Sequence, residues 1–164
     1  MAVYFTQDQG PGKILFDWWQ GLDQDHASRA VLRRASSPTE VALTAAYQRL
    51  CRRLGVSDWP EWQQDRFAVV AGILAHVKIN DGRSPAKAMS QATPAEDRPA
   101  VSELRFLRLL NAPDSDTLFP AVRRVLPLMR SVDVIALAND LLHWGDAVKK
   151  KWAYGYEWPE KSVR

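Results

Sequence analysis

The chain has 164 residues, of which 46% are hydrophobic and 25% charged, with a formal net charge of +3. This composition excludes an intrinsically disordered chain, and the length suits one domain with a sizeable core. The single cysteine excludes an internal disulfide, and the longest apolar run, residues 67–75, is well short of the ~20 residues that span a bilayer. Because no basic stretch followed by an apolar run opens the sequence, we expect a soluble, cytoplasmic protein without membrane contact.

Capping residues, proline and glycine divide the first half of the chain into predicted helices. Asp23 or Asp25 is positioned to cap a short helix. Residues 37–40 (SPTE) form a capping-box pattern, and Gly55 supplies the stop for the helix that begins there. The apolar stripe of that helix contains Leu43, Tyr47 and Leu50.

The next helix is predicted to begin at Pro60 and to end at residues 80–82 (NDG). Its wide apolar stripe includes Trp62. Three prolines then interrupt the pattern across residues 80–99, and only one turn of helix, residues 86–89, is predicted within this stretch. A loop of this length is uncommon in a compact domain and is typical of a functional or mobile segment.

Helical periodicity returns in the last third of the chain. Leu104, Leu107 and Leu110 are predicted to form the buried face of one helix. Residues 134–152 keep a single apolar face and predict one long helix of roughly five turns. Gly145 lies within this face and predicts the close approach of another helix or chain, because glycine costs a helix about 1 kcal/mol relative to alanine.

These segments together predict the fold class. No stretch alternates apolar and polar residues over the length of a strand, so a sheet is not expected. The predicted fold is all-α, a bundle of about seven to nine helices. The long loop divides it into an N-terminal helical lobe, residues 1–82, and a second lobe, residues 83–164, which holds the loop and the C-terminal helices. The two lobes act either as one domain or as two small ones.

Catalytic motifs are absent from the sequence. The three histidines lie in different predicted helices, and neither a phosphate-binding glycine loop nor a nucleophile elbow is present. Asp140, His143 and Asp146 are three residues apart on one predicted helix and would suit a metal if another helix added ligands. The pattern favours a solvated polar face instead. We therefore predict that the chain is not an enzyme and holds no metal and no cofactor.

Clustered basic residues are the most distinctive feature of the sequence. Arginine suits phosphate because its planar fork donates two hydrogen bonds at once, and Arg105 and Arg108 are spaced to share a helix face. The competing interpretation is that such side chains are solvated or offset the dipoles of helix C-termini. The clusters are Arg33–Arg34, Arg52–Arg53, Arg105 with Arg108, Arg123–Arg124 and Lys149–Lys150–Lys151.

The seven tryptophans favour packing and protein contacts over base stacking. Trp18 and Trp152 lie on apolar stripes and are predicted to be buried. Trp19 and the pair Trp59 and Trp62 are predicted to cover a partner surface.

The order of short segments along nearly the whole chain resembles the CasB family, the small subunit of type I-E CRISPR Cascade complexes. Each segment is short and helical, but their joint order and spacing are specific. The segments are FDWW (residues 16–19), LRRA (32–35), GRS (82–84), VSELRF (101–106), VRR (122–124) and HWG (143–145).

The resemblance implies an all-helical, non-catalytic subunit, present in two copies, that packs beside the backbone and large subunits of the complex. Its implied work is to hold the backbone of guide RNA and target DNA and to stabilise the R-loop, while base pairing reads the sequence. Phosphate contacts are implied for residues of the matched segments: Arg33, Arg34, Arg105, Arg123 and Arg124. Position on the same elements extends them to Arg83, Lys87, Arg108 and Lys149.

The alternative function is a helical protein-interaction scaffold that uses its aromatic stripes and has no direct contact with nucleic acid. The arginines would then serve solubility. Charge reversal at Arg33, Arg34 and Arg105 would leave assembly intact.

Overall fold

The computed structural model describes residues 2–93 and 96–160. Within these residues the chain forms ten α-helices, two 3₁₀ turns and one two-stranded ladder, which confirms the all-α class. The α-helices are α1 (Gly10–Gly21), α2 (His26–Arg34), α3 (Pro38–Ala42), α4 (Ala45–Leu54), α5 (Glu61–Leu74), α6 (Pro85–Ser90), α7 (Glu103–Leu110), α8 (Ser115–Val125), α9 (Val134–Leu142) and α10 (Asp146–Gly155). The 3₁₀ turns are Val56–Asp58 and Leu126–Leu128, and the strands are β1 (Ala92–Thr93) and β2 (Glu96–Pro99).

The predicted caps at Asp25, Ser37 and Gly55 are confirmed, although the Glu40 carboxylate accepts from the Ser36 N–H and not from the Ser37 N–H that a capping box would use. The Asp25 carboxylate accepts a hydrogen bond from the Ser28 N–H at 3.1 Å, and the Ser37 hydroxyl accepts one from the Glu40 N–H at 3.1 Å. Gly55 ends α4 in the left-handed region at φ +66°, which a residue with a Cβ adopts only at a cost. Hydrogen bonds from Ser28 to the Asp25 carboxylate and from Ser36 to the Glu40 carboxylate hold the pKa of both groups below the usual value.

The single helix predicted between residues 37 and 55 is wrong, because the chain breaks after α3. The Thr44 hydroxyl accepts a hydrogen bond from the Tyr47 N–H at 3.2 Å and so starts α4. Leu43 lies at the break and is 80% exposed, although the stripe predicted its burial.

The long C-terminal helix is also wrong, because residues 143–145 separate α9 from α10. Gly145 has extended backbone at φ 170°, and a Cβ added there would meet only the His143 carbonyl oxygen, at 3.8 Å, among the described residues. The predicted close approach of another helix of this chain is therefore wrong as well, while the approach of another chain at Gly145 stays a prediction. These two additional breaks bring the helix count above the expected range.

Residues 80–93 and 96–99 contain more regular structure than predicted. Helix α6 confirms the expected helical turn, but β1 and β2 then pair as a short antiparallel ladder where no sheet was expected. The preceding helix, α5, ends at Leu74, well before the predicted stop at residues 80–82.

Helix α5 is the centre of the core. Every residue from 67 to 74 is buried, since this helix packs against α3 on one side and against α8 and α9 on others. One hydrophobic cluster thus contains residues from both halves of the chain. The division into lobes at residue 82 stays a prediction.

Several expectations about the burial of apolar residues are wrong. On α7, Phe106 and Leu109 are buried, while Leu104 and Leu107 are exposed, because the Phe106 ring stacks on Tyr156 with centroids 4.1 Å apart. Trp19 was predicted to cover a partner surface, but it is buried.

The Trp19 indole N–H donates to the Val77 carbonyl oxygen at 2.9 Å. Its neighbour Trp18, which was predicted to be buried, is only half-buried. Trp59 is buried and Trp62 exposed, so only Trp62 of the three proposed partner-facing tryptophans is available at the surface. The burial of Trp152 is confirmed.

The segment before α1 is held by two side-chain amides that imitate a β-ladder. Gln63 accepts from the Val3 N–H at 2.8 Å and donates to the Val3 carbonyl at 3.0 Å. Asn139 does the same for Phe5, at 2.8 Å and 2.9 Å. The Phe5 ring is thereby placed against Trp59 in the core.

Across residues 2–93 and 96–160, none of the helices combines the length and apolar character needed to cross a bilayer.

Candidate nucleic-acid interface

Three of the predicted arginines line one concavity, which we call the arginine cleft. Arg105 and Arg108 of α7 and Arg124 of α8 surround a volume of about 350 Å³ together with Leu109, Ala121 and Val125. All three arginines are exposed, and none of the six lining residues is acidic. The cleft therefore carries three positive charges that no lining carboxylate neutralises.

The geometry of the arginine cleft follows from the packing of α7 on α8. The spacing of three residues puts Arg105 and Arg108 on one side of α7, and burial of Phe106 and Leu109 turns that side toward α8. The Ser102 hydroxyl caps α7 by accepting from the Arg105 N–H at 3.3 Å. Arg124 then faces the pair from the last turn of α8.

A second group of cations surrounds another concavity, which we call the basic cavity. Arg33 at the end of α2, His76 and Lys78 after α5, and Arg130 after the second 3₁₀ turn line a volume of about 240 Å³. Arg123 ties α8 to this group, because its Nη2 donates to the Arg33 carbonyl oxygen at 3.0 Å.

His76 is the unusual member of the basic cavity. Its Nε2 is buried and has no hydrogen-bond partner among the described residues. Burial, together with the charges of Arg123 and Arg33, lowers the pKa of His76 to about 4. The ring is therefore neutral at pH 7.

The remaining predicted contact residues lie apart from these two concavities. Arg34 is exposed at the end of α2 but lines neither one. Lys87 is exposed on α6, and Lys149 is half-buried with its ammonium 5.9 Å from the centre of the Trp144 ring.

Arg83 is turned toward the protein rather than toward solvent. Its Nε donates to Asp81 at 3.0 Å, its Nη2 donates to the Ser131 carbonyl at 3.0 Å and hydroxyl at 2.7 Å, and its Nη1 donates to Gln91. These bonds pin the loop before α6 to the segment before α9. Burial acts to raise the pKa of Asp81, but hydrogen bonds from the Ser131 hydroxyl and from Arg83, together with the Arg83 charge, lower it on balance.

A third concavity, of about 470 Å³, includes Arg49 and Arg52 on α4. Cys51 lines it too, and burial raises the pKa of its thiol, so the thiol stays protonated at neutral pH.

The three residues of the metal hypothesis do not converge. Asp140 is buried and accepts hydrogen bonds from Lys151 and from the Trp152 indole N–H, the latter at 2.7 Å. His143 contacts the Val3 carbonyl oxygen through Nε2 at 2.7 Å, while Asp146 is exposed in the first turn of α10. In the described part of the chain, no three potential metal ligands form a group.

Sequence reasoning missed His76, Lys78 and Arg130. Each is a single residue in or beside a loop, and the basic cavity forms only when the ends of α2 and α5 meet the segment after Leu128. No local pattern signals that meeting. Arg83, by contrast, follows an aspartate by two residues, and this short spacing was a visible signal of a local ion pair.

The fold and these surfaces define a small all-helical protein whose arginines gather in concavities on its exterior. The family model for the CRISPR-associated protein Cse2 matches residues 28–156, so the chain belongs to the Cse2 family, also called CasB. This confirms the resemblance found in the sequence.

Two known proteins show the extent of the similarity. The CRISPR-associated protein Cse2 of Thermus thermophilus is 30% identical over 156 aligned residues, covering 89% of each chain. A chain in the crystal structure of E. coli Cascade bound to a PAM-containing dsDNA target superposes with a TM-score of 0.70, covering 91% of this chain and 95% of that one. Its sequence identity is 22%, so this second match supports the fold.

Proposed function

We propose that the chain is the non-catalytic small subunit of a CRISPR ribonucleoprotein surveillance complex of the Cascade type. In this role it binds nucleic-acid backbone without reading its sequence and stabilises the target-bound R-loop. Its partners are the guide RNA and target DNA, the backbone and large subunits, and a second copy of itself. Membership of the Cse2 family supports the proposal, as does the likeness to a chain of a DNA-bound Cascade.

The observation that carries the proposal is the arginine cleft. Three guanidinium groups from two helices face one concavity of about 350 Å³, whose floor is apolar and whose lining contains no carboxylate. Such a surface attracts phosphate through charge and through paired N–H donors, and it offers no set of base-edge readers. Backbone contacts of this kind tip the near-balanced exchange of strands in an R-loop toward the bound state.

The test is fluorescence anisotropy of labelled single-stranded and duplex DNA, titrated with the protein over a series of salt concentrations. We expect sequence-independent binding that weakens steeply with salt. Replacing Arg105 and Arg124 with glutamine removes two charge-assisted contacts and should lower the affinity about 10- to 100-fold. It should also reduce the salt slope on single strands by roughly 1.4.

The matched control is the double replacement of Lys13 and Arg53 with glutamine. Both residues are exposed, on α1 and α4, and lie outside the arginine cleft and the basic cavity, so the net charge changes equally. If the control variant loses as much affinity as the Arg105 and Arg124 variant, only bulk charge matters. A site at the arginine cleft would then be ruled out.

The scaffold alternative rests on a specific observation, the exposed leucines of α7. Leu104 is 57% and Leu107 40% exposed, one helical turn apart on the same helix that carries Arg105. Large apolar side chains that stay exposed together are typical of a contact with another protein. If the glutamine variants assemble and function like the wild type while replacement of both leucines with serine prevents assembly, the scaffold function is the right one.

A further inference from the structure

The basic cavity combines several cations with an unsatisfied polar atom. Arg33, Lys78 and Arg130 come from three separate parts of the chain and line the same volume of about 240 Å³. His76 lies among them with a buried Nε2 that no described group contacts by a hydrogen bond. A buried polar group without a partner costs about 1–3 kcal/mol, so its retention calls for an explanation.

The charges around His76 indicate which kind of group would form a hydrogen bond with its unpartnered Nε2. Arg33 of α2 and Arg123 of α8 are the charged groups that act on the ring, and both are cations. Lys78 and Arg130 add positive charge from the cavity wall. Glu40, whose carboxyl pKa the Arg123 charge helps to lower, accepts hydrogen bonds from the Ser36 N–H and hydroxyl.

We propose that the basic cavity is a phosphate site, in which Arg33, Lys78 and Arg130 bind the oxygens and the His76 ring turns so that its Nε2 donates a hydrogen bond to one of them. The inference rests on the proposed function in one respect, that the phosphate comes from nucleic acid. A free tetrahedral oxyanion has the same chemistry, so the test separates these two sources.

Occupation of this site shifts the titration of His76. In the free protein the ring is neutral at pH 7, because burial and two arginines lower the pKa of His76 to about 4. A neutral ring donates a hydrogen bond to an anion when its single proton lies on Nε2. The bound anion also offsets the charges of the two arginines, so binding raises the pKa of His76.

The competing explanation is that the cations serve only the helix ends. Arg33 lies in the last turn of α2, and Lys78 and Arg130 each follow a helical segment, where positive charge offsets the helix dipole. That explanation gives no role to the orphaned His76 nitrogen. It predicts that anions do not change the titration midpoint of the His76 ring.

The measurement is the NMR titration of the His76 ring in the full chain, between pH 3 and 7.5. The chain has three histidines, so a His76→Gln variant assigns the signal. Sodium sulfate is compared with sodium chloride at equal ionic strength, because sulfate keeps its charge over this range. A second arm adds a thymidine octanucleotide, whose phosphodiesters and bases do not titrate there.

We expect sulfate and the oligonucleotide each to raise the midpoint of the His76 titration by about one pH unit. The response should vanish when Lys78 and Arg130 are replaced with glutamine, and persist when Lys13 and Arg53 are. No response to either ligand, or an equal response in the Lys78 and Arg130 variant, would overturn the site. A response to sulfate alone would overturn nucleic acid as the source of the phosphate.

The two proposals fail separately in these experiments. If the protein does not bind DNA in the anisotropy assay but sulfate still moves His76, the proposed function fails and the anion site stands. If DNA binding depends on the arginine cleft while His76 stays unchanged by sulfate and oligonucleotide, the function stands and the anion site is wrong.

Discussion

Replacing Gly72 with valine is expected to lower the free energy of unfolding by about 3 kcal/mol or more. Gly72 lies in α5 where that helix meets α3 and α8, and a Cβ built there would stand 2.7 Å from both Phe119 Cε2 and Val41 Cγ2. Both neighbours are completely buried, so neither can move aside into solvent. Valine adds two further methyl groups to this clash, and the core must open to admit them.

Thermal unfolding followed by circular dichroism measures this loss. A cost of about 3 kcal/mol corresponds to a fall in Tm of roughly 6–12 °C for a chain of this size. The control is Gly21→Val, at the exposed end of α1, where a Cβ would meet nothing within 4 Å. A Gly72→Val protein that melts within about 2 °C of the wild type would show that the three helices are less tightly packed than described.

Local sequence signals predicted several helix starts and one helix end, because a cap forms between residues that are close together along the chain. The serine at position 37, the aspartate at position 25 and the glycine at position 55 all act as predicted. The breaks at Leu43 and at residues 143–145 were not predicted, since the apolar period continues across both. Only tertiary packing determines that a new helix, with a different axis, begins at each of these breaks.

The register of α7 shows the same limit. Its sequence contains two candidate apolar stripes, one through Leu104 and Leu107 and one through Phe106 and Leu109. The second is buried because Phe106 stacks on Tyr156, fifty residues away in sequence. Periodicity alone cannot choose between stripes when the deciding partner is so distant.

The candidate interface was predictable only in part. The shared face of Arg105 and Arg108 followed from their spacing, but the approach of Arg124 depends on how α8 packs. The basic cavity was not predicted, because Lys78 and Arg130 are isolated in the sequence and meet only through the fold. Pairs of basic residues are easy to see in a sequence, whereas convergent single residues are not.

Replacing Asn139 with alanine is expected to lower the free energy of unfolding by about 2 kcal/mol. The change removes two hydrogen bonds, at 2.8 Å and 2.9 Å, that hold both backbone polar groups of Phe5. Urea unfolding measures the loss. Replacing Asn111, which is exposed after α7, with alanine is the matched control and should cost less than about 0.5 kcal/mol.

Hydrogen exchange distinguishes release of the N-terminal segment from general destabilisation. The Phe5 N–H is protected through Asn139, so in the variant it should exchange at least tenfold faster. The exchange rates of the core amides of α5 should change only as far as the global stability of the protein changes. Release of the segment also exposes the Phe5 ring, which is 3% exposed in the wild type. An unchanged Phe5 exchange rate would contradict the anchoring role of Asn139.

The loss in the free energy of unfolding on replacing Asn139 has a physical upper limit. When the two hydrogen bonds are gone, the chain either keeps the Phe5 backbone buried without partners or detaches the segment and loses the burial of the ring, a cost of roughly 1.5–3 kcal/mol. The outcome with the lower free-energy cost determines the measured loss in the free energy of unfolding. Adding Gln63→Ala removes the neighbouring pair of bonds to Val3, and once the segment is detached this second change should cost less than when it is made alone.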